Sequence, residues 1–499
     1  MVSPIAAASF PSRNIIGLTL GILLFFGMRT LPTPSGLTAD AHTVGALTVL
    51  MAVWWISECL PIAVTALVPF VAYPILTDLS PEQVAAEYGN PTIFLMMGGF
   101  MIALAMQRWQ LHRRIALLLV KSAGTQPRRL LGGFMLASAG LSMWVSNTAT
   151  VVMLVPIATA VVAQAFSHVD REQVSQFGES LLLGVAYAAS VGGVATLIGS
   201  PPNLIFQGQA RALLGNGGDV QFVQWFVFAF PLSALFLTFI WGYLGQRISR
   251  SALDAPTDPG VFSHELQQLG SWTRGERVVL TVFLLTAVAW ITKSDLVLSS
   301  VRIPGWNTLL GLPAIHDGAI AIAAALLLFG IPVDLNRGVF ALDWDTAKKL
   351  PWEVVLLMGG GFALAEAFRS TGLAEWLGTH FILFQHLPLP ALLLALCILV
   401  TFITEVTSNT ATAVVLMPIL ASAAMTMGID PFLLMVPATV SCSFAFMLPV
   451  ATPPNAVVFG SGYVRIQSMT HAGWVLNLVG ALLTTIAMLG WGRYIFRAH

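Results

Sequence analysis

Apolar residues run along this chain in blocks of about 17–20 residues or more, long enough to cross the hydrocarbon core of a bilayer as helices. The blocks fall near 14–30, 43–60, 61–77, 91–108, 180–210, 222–246, 277–294, 316–332, 352–370, 431–461 and 473–496. Two more apolar regions, 130–166 and 389–427, are interrupted in the middle by short polar runs. The pattern predicts an all-α polytopic membrane protein with about 11 transmembrane helices plus two broken regions. The first block lacks a small-residue cleavage site and is followed by further spans. It reads as a retained helix and not as a signal peptide.

The pattern repeats itself. FLMMGGFMIALA (94–105) matches LLMGGGFALAEA (356–367), with Met97-Gly98-Gly99 answering Met358-Gly359-Gly360 at an offset of 261. SNTATVVMLVPI (146–157) matches SNTATAVVLMPI (408–419) at an offset of 262, and GSPPN (199–203) matches ATPPN (451–455) at an offset of 252. If the broken regions are re-entrant hairpins, an odd number of spans lies between them. The first then opens to the cytoplasm and the second to the outside, which is an inverted-topology repeat of the kind that builds secondary transporters.

Irregular backbone at membrane depth is tolerated only against protein or water. A turn at Ser146-Asn147-Thr148 leaves a helix start there, with Ser or Asn placed to cap it and free N–H groups suited to an anion. Ser408-Asn409-Thr410 repeats this from the other side. The paired prolines of each PPN remove two amide donors and free carbonyls upstream. With Ser, Thr and Asn oxygens these make an all-oxygen shell suited to a hard cation such as sodium. Gly192, Gly193 and Gly199 permit an unwound stretch in the first copy.

Composition and charge narrow the class. Apolar residues make up 57% of the 499 and charged residues 9%, against about 25% charged in an ordinary globular protein. Lys+Arg and Asp+Glu are 23 each. No basic stripe points to nucleic acid. Cys59, Cys397 and Cys442 are scattered, and form neither a disulfide framework nor a metal site. With the N-terminus cytoplasmic, sixteen Lys and Arg fall inside and seven outside, as the positive-inside rule requires. The loop 77–90 carries Asp78, Glu82 and Glu87 and no base, which suits an outside face. Arg493 and Arg497 oppose this arrangement weakly, but an odd number of spans puts the C-terminus outside.

These motifs, together with WWISECLPIAVTALVP (54–69), resemble the divalent-anion/sodium symporter (DASS) family over nearly the whole chain. The resemblance implies scaffold helices at 1–126 and 277–387. A transport domain follows from 127–246, with the cytoplasm-opening hairpin and a broken helix, and 388–499, with the outside-opening hairpin and its broken helix. A cytoplasmic linker spans 247–276. It implies a homodimer in the cell's inner (plasma) membrane, whose transport domains move like elevators. The family reading gives a sodium-coupled importer of C4-dicarboxylates of the succinate, malate and fumarate type. Dicarboxylate exchange and sodium-coupled sulfate or citrate transport are the alternatives. Carried over by motif, Asn147, Thr148, Asn409 and Thr410 hold the two carboxylates of a small dianion, with Ser146, Ser408, Ser200, Pro201, Thr452 and Pro453 completing the pocket. One sodium ion (Na+) falls to Ser142, Ser146, Asn147 and Gly199, and another to Thr404, Thr407, Ser408, Asn409 and Ala451. Neither tip carries Lys, Arg or His beside SNT. A dianion pocket without fixed positive charge needs co-bound cations, which favours symport over exchange.

Other residues carry less. Glu58, Glu366 and Glu405 are carboxylates in apolar surroundings. Glu405, four residues before Asn409, is placed to couple protons or to orient the hairpin, and a helix-end or supporting hydrogen bond is the favoured reading. Trp54, Trp55 and Trp144 read as interfacial or packing residues. No HExxH or GxSxG occurs, and the histidines fall mostly in loops, so no enzyme is expected.

Overall fold

The computed structural model describes residues 12–124, 126–164, 171–248, 260–298, 301–312, 315–381 and 386–496. Every apolar block carries a helix. Among the described residues seven helices are long and apolar enough to cross a membrane: Ala39–Ser57, Pro81–Arg108, Gln176–Val194, Phe222–Gln246, Trp352–Thr371, Asn409–Thr426 and Ile466–Ile495. Shorter apolar helices occupy Asn14–Thr30, Ile62–Leu76, Asn147–Ala163, Asp317–Gly330, Leu389–Thr404 and Phe432–Cys442, and Arg274–Ile291 fills the block at 277–294.

Three details differ from the apolar pattern. Helices Leu111–Ala123 and Leu373–Phe381 follow the two MGG helices, where the charges of each segment hid them. In the first of these, Leu111, Ala116, Leu117 and Val120 form the buried side. The span expected at 61–77 is broken into Ile62–Thr65, which starts just after Pro61, and Val68–Leu76, which carries Pro69 at its second position. Two small antiparallel ribbons interrupt the helices, Leu296–Leu298 with Val301–Ile303 and Pro332–Asp334 with Val339–Phe340.

The repeated MGG motif is a packing device. Apolar side chains gain little from leaving lipid, so membrane helices associate through small residues that let backbones approach. A methyl group on Gly98 would lie 2.5 Å from the Ala321 backbone, and one on Gly360 would lie 2.3 Å from the Ala66 carbonyl oxygen.

Each half then builds one hairpin and one broken span. The first hairpin has a leading helix Pro127–Ser142 and a return helix Asn147–Gln164. The first broken span has an upstream arm Arg171–Val194 and a downstream arm Pro201–Leu214. In the second half the hairpin is Leu389–Thr404 and Asn409–Thr426, and the broken span is Phe432–Cys442 and Pro453–Gly460. The halves interlock. The downstream arm of the second broken span packs on the first hairpin's return helix, and that of the first packs on the second hairpin's return helix. Gln176–Val194 is wholly enclosed by protein and the unwound residues 195–200 are buried, as irregular backbone requires. In the second unwound segment residues 443–446 are buried, whereas Val450 is 84% exposed.

The segment joining the halves is anchored where it is described. Gly260–Gln268 lies against Leu111–Ala123, with Arg113 paired to Glu265. Arg114 reaches Glu276 at 2.5 Å and the Gly270 and Leu269 carbonyls at 3.0 and 3.1 Å.

Candidate functional site

The first hairpin turns at residues 143–146, and its return helix starts at Asn147. Ser146 caps that helix, its Oγ accepting the Ala149 N–H at 3.2 Å. The Ser142 hydroxyl donates to Asn147 Oδ1 at 2.5 Å, so two expected sodium ligands already meet. The unwound residues 195–200 lie against this turn. A methyl group on Gly193 would sit 2.6 Å from Asn147 Oδ1 and 3.0 Å from the Gly199 carbonyl oxygen. One on Gly199 would sit 2.5 Å from the Gly193 carbonyl oxygen and 3.0 Å from that of Ser142. Oxygens from four residues thus crowd into one spot.

The second hairpin repeats the arrangement with Thr404 in place of Ser142 and with Ala445 and Ala451 in place of Gly193 and Gly199. Ser408 caps the return helix. The Thr404 hydroxyl, at the position of Ser142, lies 2.6 Å from Asn409 Oδ1 and 2.9 Å from the Cys442 carbonyl oxygen. The Thr407 hydroxyl contacts that of Thr412 at 2.7 Å. Thr452 caps the downstream arm through the Asn455 N–H at 3.3 Å. Ala451 is buried beside it.

The clusters are joined across the repeat. Ser200 Oγ lies 3.2 Å from Ser443 Oγ, and the Tyr187 hydroxyl donates to the Phe446 carbonyl at 2.9 Å. Unlike Thr452, Ser200 makes no side-chain cap to its own helix. Asn147, Thr148, Asn409 and Thr410 are half-buried at the two tips, as are Ser146, Ser408, Thr407 and Pro201; Pro453 is exposed.

The prolines act differently from the expectation that they free carbonyls for a cation. In both copies they occupy the first two positions of the downstream arm, where missing amide donors break no helical bond. The third residue of PPN takes up the loose carbonyls. Asn203 Nδ2 donates to the Gly193 and Thr196 carbonyls at 3.1 and 2.7 Å, and Asn455 Nδ2 to those of Ala445 and Leu448 at 3.0 Å each. The four acceptors are equivalent at the same offset of 252. Sequence reasoning named PPN but not these asparagines, although their repetition was a signal. Gly192 and Gly193 also differ from expectation: both lie inside the helical upstream arm. They serve close approach, since a methyl on Gly192 would meet the Ala139 carbonyl oxygen at 2.4 Å.

Glu405 is a supporting group. Its Oε1 accepts the Phe446 and Met447 N–H groups at 2.7 and 2.9 Å and Asn477 Nδ2 at 2.8 Å, and its Oε2 accepts the Leu448 N–H at 3.2 Å. It ties the hairpin turn to the unwound segment. Glu366 is not isolated in apolar surroundings, because it pairs with Arg369 at 2.7 Å. Glu58 is exposed and ends the helix Ala39–Ser57 in a left-handed conformation, φ +50°. Trp144 stacks on Phe222 and meets Phe283 edge-on, a packing role.

Among the described residues no group of three His, Cys, Asp or Glu side chains gathers to hold a metal, and the three cysteines are free and buried. The oxygen clusters are chemically suited to hard alkali cations. The two capped helix starts add backbone N–H groups for an anion.

A duplicated hairpin and broken helix, interlocked at an oxygen-rich centre, define a multi-pass membrane protein of the secondary-transporter class. The chain belongs to the family described as "Sodium:sulfate symporter transmembrane region", whose model matches residues 12–497. It is 40% identical over 488 residues to the "Sodium-dependent dicarboxylate transporter SdcS" of Staphylococcus saprophyticus, covering 96% of this chain and 92% of that one. It is 39% identical over 485 residues to the protein of the same name in Staphylococcus aureus strain bovine RF122, covering 96% and 91%. Two solved structures share the fold. The YdaH transporter of Alcanivorax borkumensis has a TM-score of 0.55 at 17% identity, covering 89% of this chain and 98% of that one. MtrF of Neisseria gonorrhoeae has a TM-score of 0.56 at 11% identity, covering 94% and 97%.

Proposed function

We propose that this protein is a sodium-coupled importer of C4-dicarboxylates such as succinate, malate and fumarate. The observation that carries the reading is the matched pair of clusters, Ser142–Asn147 and Thr404–Asn409. Each sets an amide oxygen against a hydroxyl beside a capped helix start. Each cluster holds one sodium ion, the first through Ser142, Ser146, Asn147 and the Gly199 carbonyl. The second uses Thr404, Thr407, Ser408, Asn409 and the Ala451 carbonyl. Asn147 and Thr148 hold one carboxylate, and Asn409 and Thr410 the other, with Ser200, Pro201, Thr452 and Pro453 closing the pocket. The ions supply the positive charge that a dianion needs where no basic side chain neighbours SNT. The relatives' name, sodium-dependent dicarboxylate transporter, supports this choice of ion and substrate.

The hairpins are re-entrant from opposite sides of a plasma membrane with about eleven spans, the N-terminus cytoplasmic and the C-terminus outside. Residues 127–246 and 388–499 move as one body against scaffold helices 1–126 and 277–387 of a homodimer. No chemistry is performed on the substrate. The family description names sulfate, so sulfate is the second candidate.

Purified protein in liposomes, given labelled succinate with an inward sodium gradient or with choline, tests the proposal. Uptake should require sodium and be blocked by unlabelled malate and fumarate. Sodium-independent uptake that needs internal dicarboxylate defines an exchanger and removes the sodium assignments. Sulfate transport without succinate transport overturns the substrate.

A further inference from the structure

Residues 88–169 contain six Lys and Arg and no Asp or Glu. Three of the six find acids elsewhere in the fold: Arg108 with Asp343, Arg113 with Glu265 and Arg114 with Glu276. Lys121, Arg128 and Arg129 have no salt bridge among the described residues, and all three are exposed. Arg128 and Arg129 stand at the start of the first hairpin's leading helix, where the helix dipole disfavours cations.

Beside them lies an apolar groove of about 400 Å³ between the leading helix and Phe222–Gln246. Gly132, Gly133, Leu136, Leu237 and Trp241 line it, with Arg129, and no lining residue is acidic. Leu136 is 59% exposed, so the groove faces outward from the protein. Trp241 forms a fixed wall. Its Nε1 donates to the Arg128 carbonyl at 2.9 Å, and the Arg128 guanidinium lies 5.3 Å over its ring. The glycines keep the cleft open, since a methyl on Gly132 would meet Trp241 Nε1 at 3.0 Å.

We infer that this groove seats an anionic phospholipid, with an acyl chain along Leu136 and Leu237 and its phosphate against Arg129. An interfacial Trp beside unpaired bases marks headgroup depth. Basic pockets between membrane helices are suited to anionic headgroups. The inference rests on the membrane-spanning reading alone and is independent of what is transported. The lipid would brace the hairpin that carries Asn147.

Thermal unfolding of the full-length protein in detergent tests it, with titrations of phosphatidylglycerol, phosphatidylcholine and inorganic phosphate. Phosphatidylglycerol should raise Tm with saturation, and the other two should not. Arg129→Gln should weaken the phosphatidylglycerol response about fivefold. Leu136→Trp, at an exposed position, should remove the saturable response while leaving the lipid-free Tm unchanged. Equal stabilisation by phosphatidylcholine overturns the inference, because charge then plays no part. An R129Q curve matching the parent overturns it too. The same shift with inorganic phosphate alone marks a free-anion site and also overturns it.

Discussion

In the first half, the unwound segment is held to the hairpin turn by Thr196, whose hydroxyl donates to the Met143 carbonyl at 2.5 Å. In the second half the equivalent positions are Leu448 and Glu405; the direction of donation is the same, but side chain and backbone exchange places. The hairpin now supplies the side-chain acceptor, and the unwound segment donates its backbone N–H groups. A second contrast lies at the oxygen clusters. Gly193 and Gly199 of the first are Ala445 and Ala451 in the second, so only the first is too tight for a methyl group. Other features are the same on both sides: the capping serines, the Asn–hydroxyl pair and the PPN asparagine that gathers carbonyls. The comparison separates what must be equal for two sites to work together from the supports, which each half makes its own way.

The largest effects should come from what the halves share. Asn147→Ala and Asn409→Ala should each reduce sodium-driven succinate uptake by about a hundredfold or more, equivalent to roughly 3 kcal/mol. A strong loss in only one of them would break the equivalence. Next come the residues that differ. Gly199→Ala forces a methyl group to 2.5 Å from a backbone oxygen and should abolish sodium activation. Ala451→Gly, its mirror image, should cost only about 1 kcal/mol through added backbone freedom and leave uptake within about tenfold. Sodium titrations of uptake for both variants check this.

Glu405→Ala strands four buried or half-buried donors, at about 1–3 kcal/mol for each that stays unsatisfied, and should lower Tm and uptake together. The double variant Glu405→Met with Leu448→Thr transplants the first half's latch and should recover part of both. No recovery would show that the two latches are not interchangeable. The smallest effect is expected from Thr196→Val. It removes two hydrogen bonds, one to the Met143 carbonyl and one from the Gly199 N–H, each worth about 1 kcal/mol, and should raise the sodium concentration for half-maximal uptake a few-fold.

The two hairpins and two breaks were legible because SNT and PPN are polar or helix-breaking residues inside apolar blocks, where such residues are expensive. The serine caps followed from the same residues. The support was not legible. The donors to Glu405 come from 41 to 72 residues away, and no local pattern announces them. Asn203 and Asn455 were in view as parts of a repeated motif. Their role depends on carbonyls seven to ten residues upstream, and a helical pattern gives no reason to expect those to be loose. Leu111–Ala123 was hidden because Arg113, Arg114 and Lys121 mask its apolar side. Arg114 is accommodated by a long-range pair with Glu276 and by the Gly270 and Leu269 carbonyls.

The measurement that bears most directly on two cooperating sodium sites is the sodium dependence of labelled-succinate uptake in liposomes. Parent and Gly199→Ala protein would be assayed at matched membrane potential. A sigmoidal curve with a Hill coefficient of about two or more for the parent, and no sodium-driven uptake for the variant, is the result predicted here. A hyperbolic parent curve, or a Gly199→Ala curve that overlays it, would contradict the account.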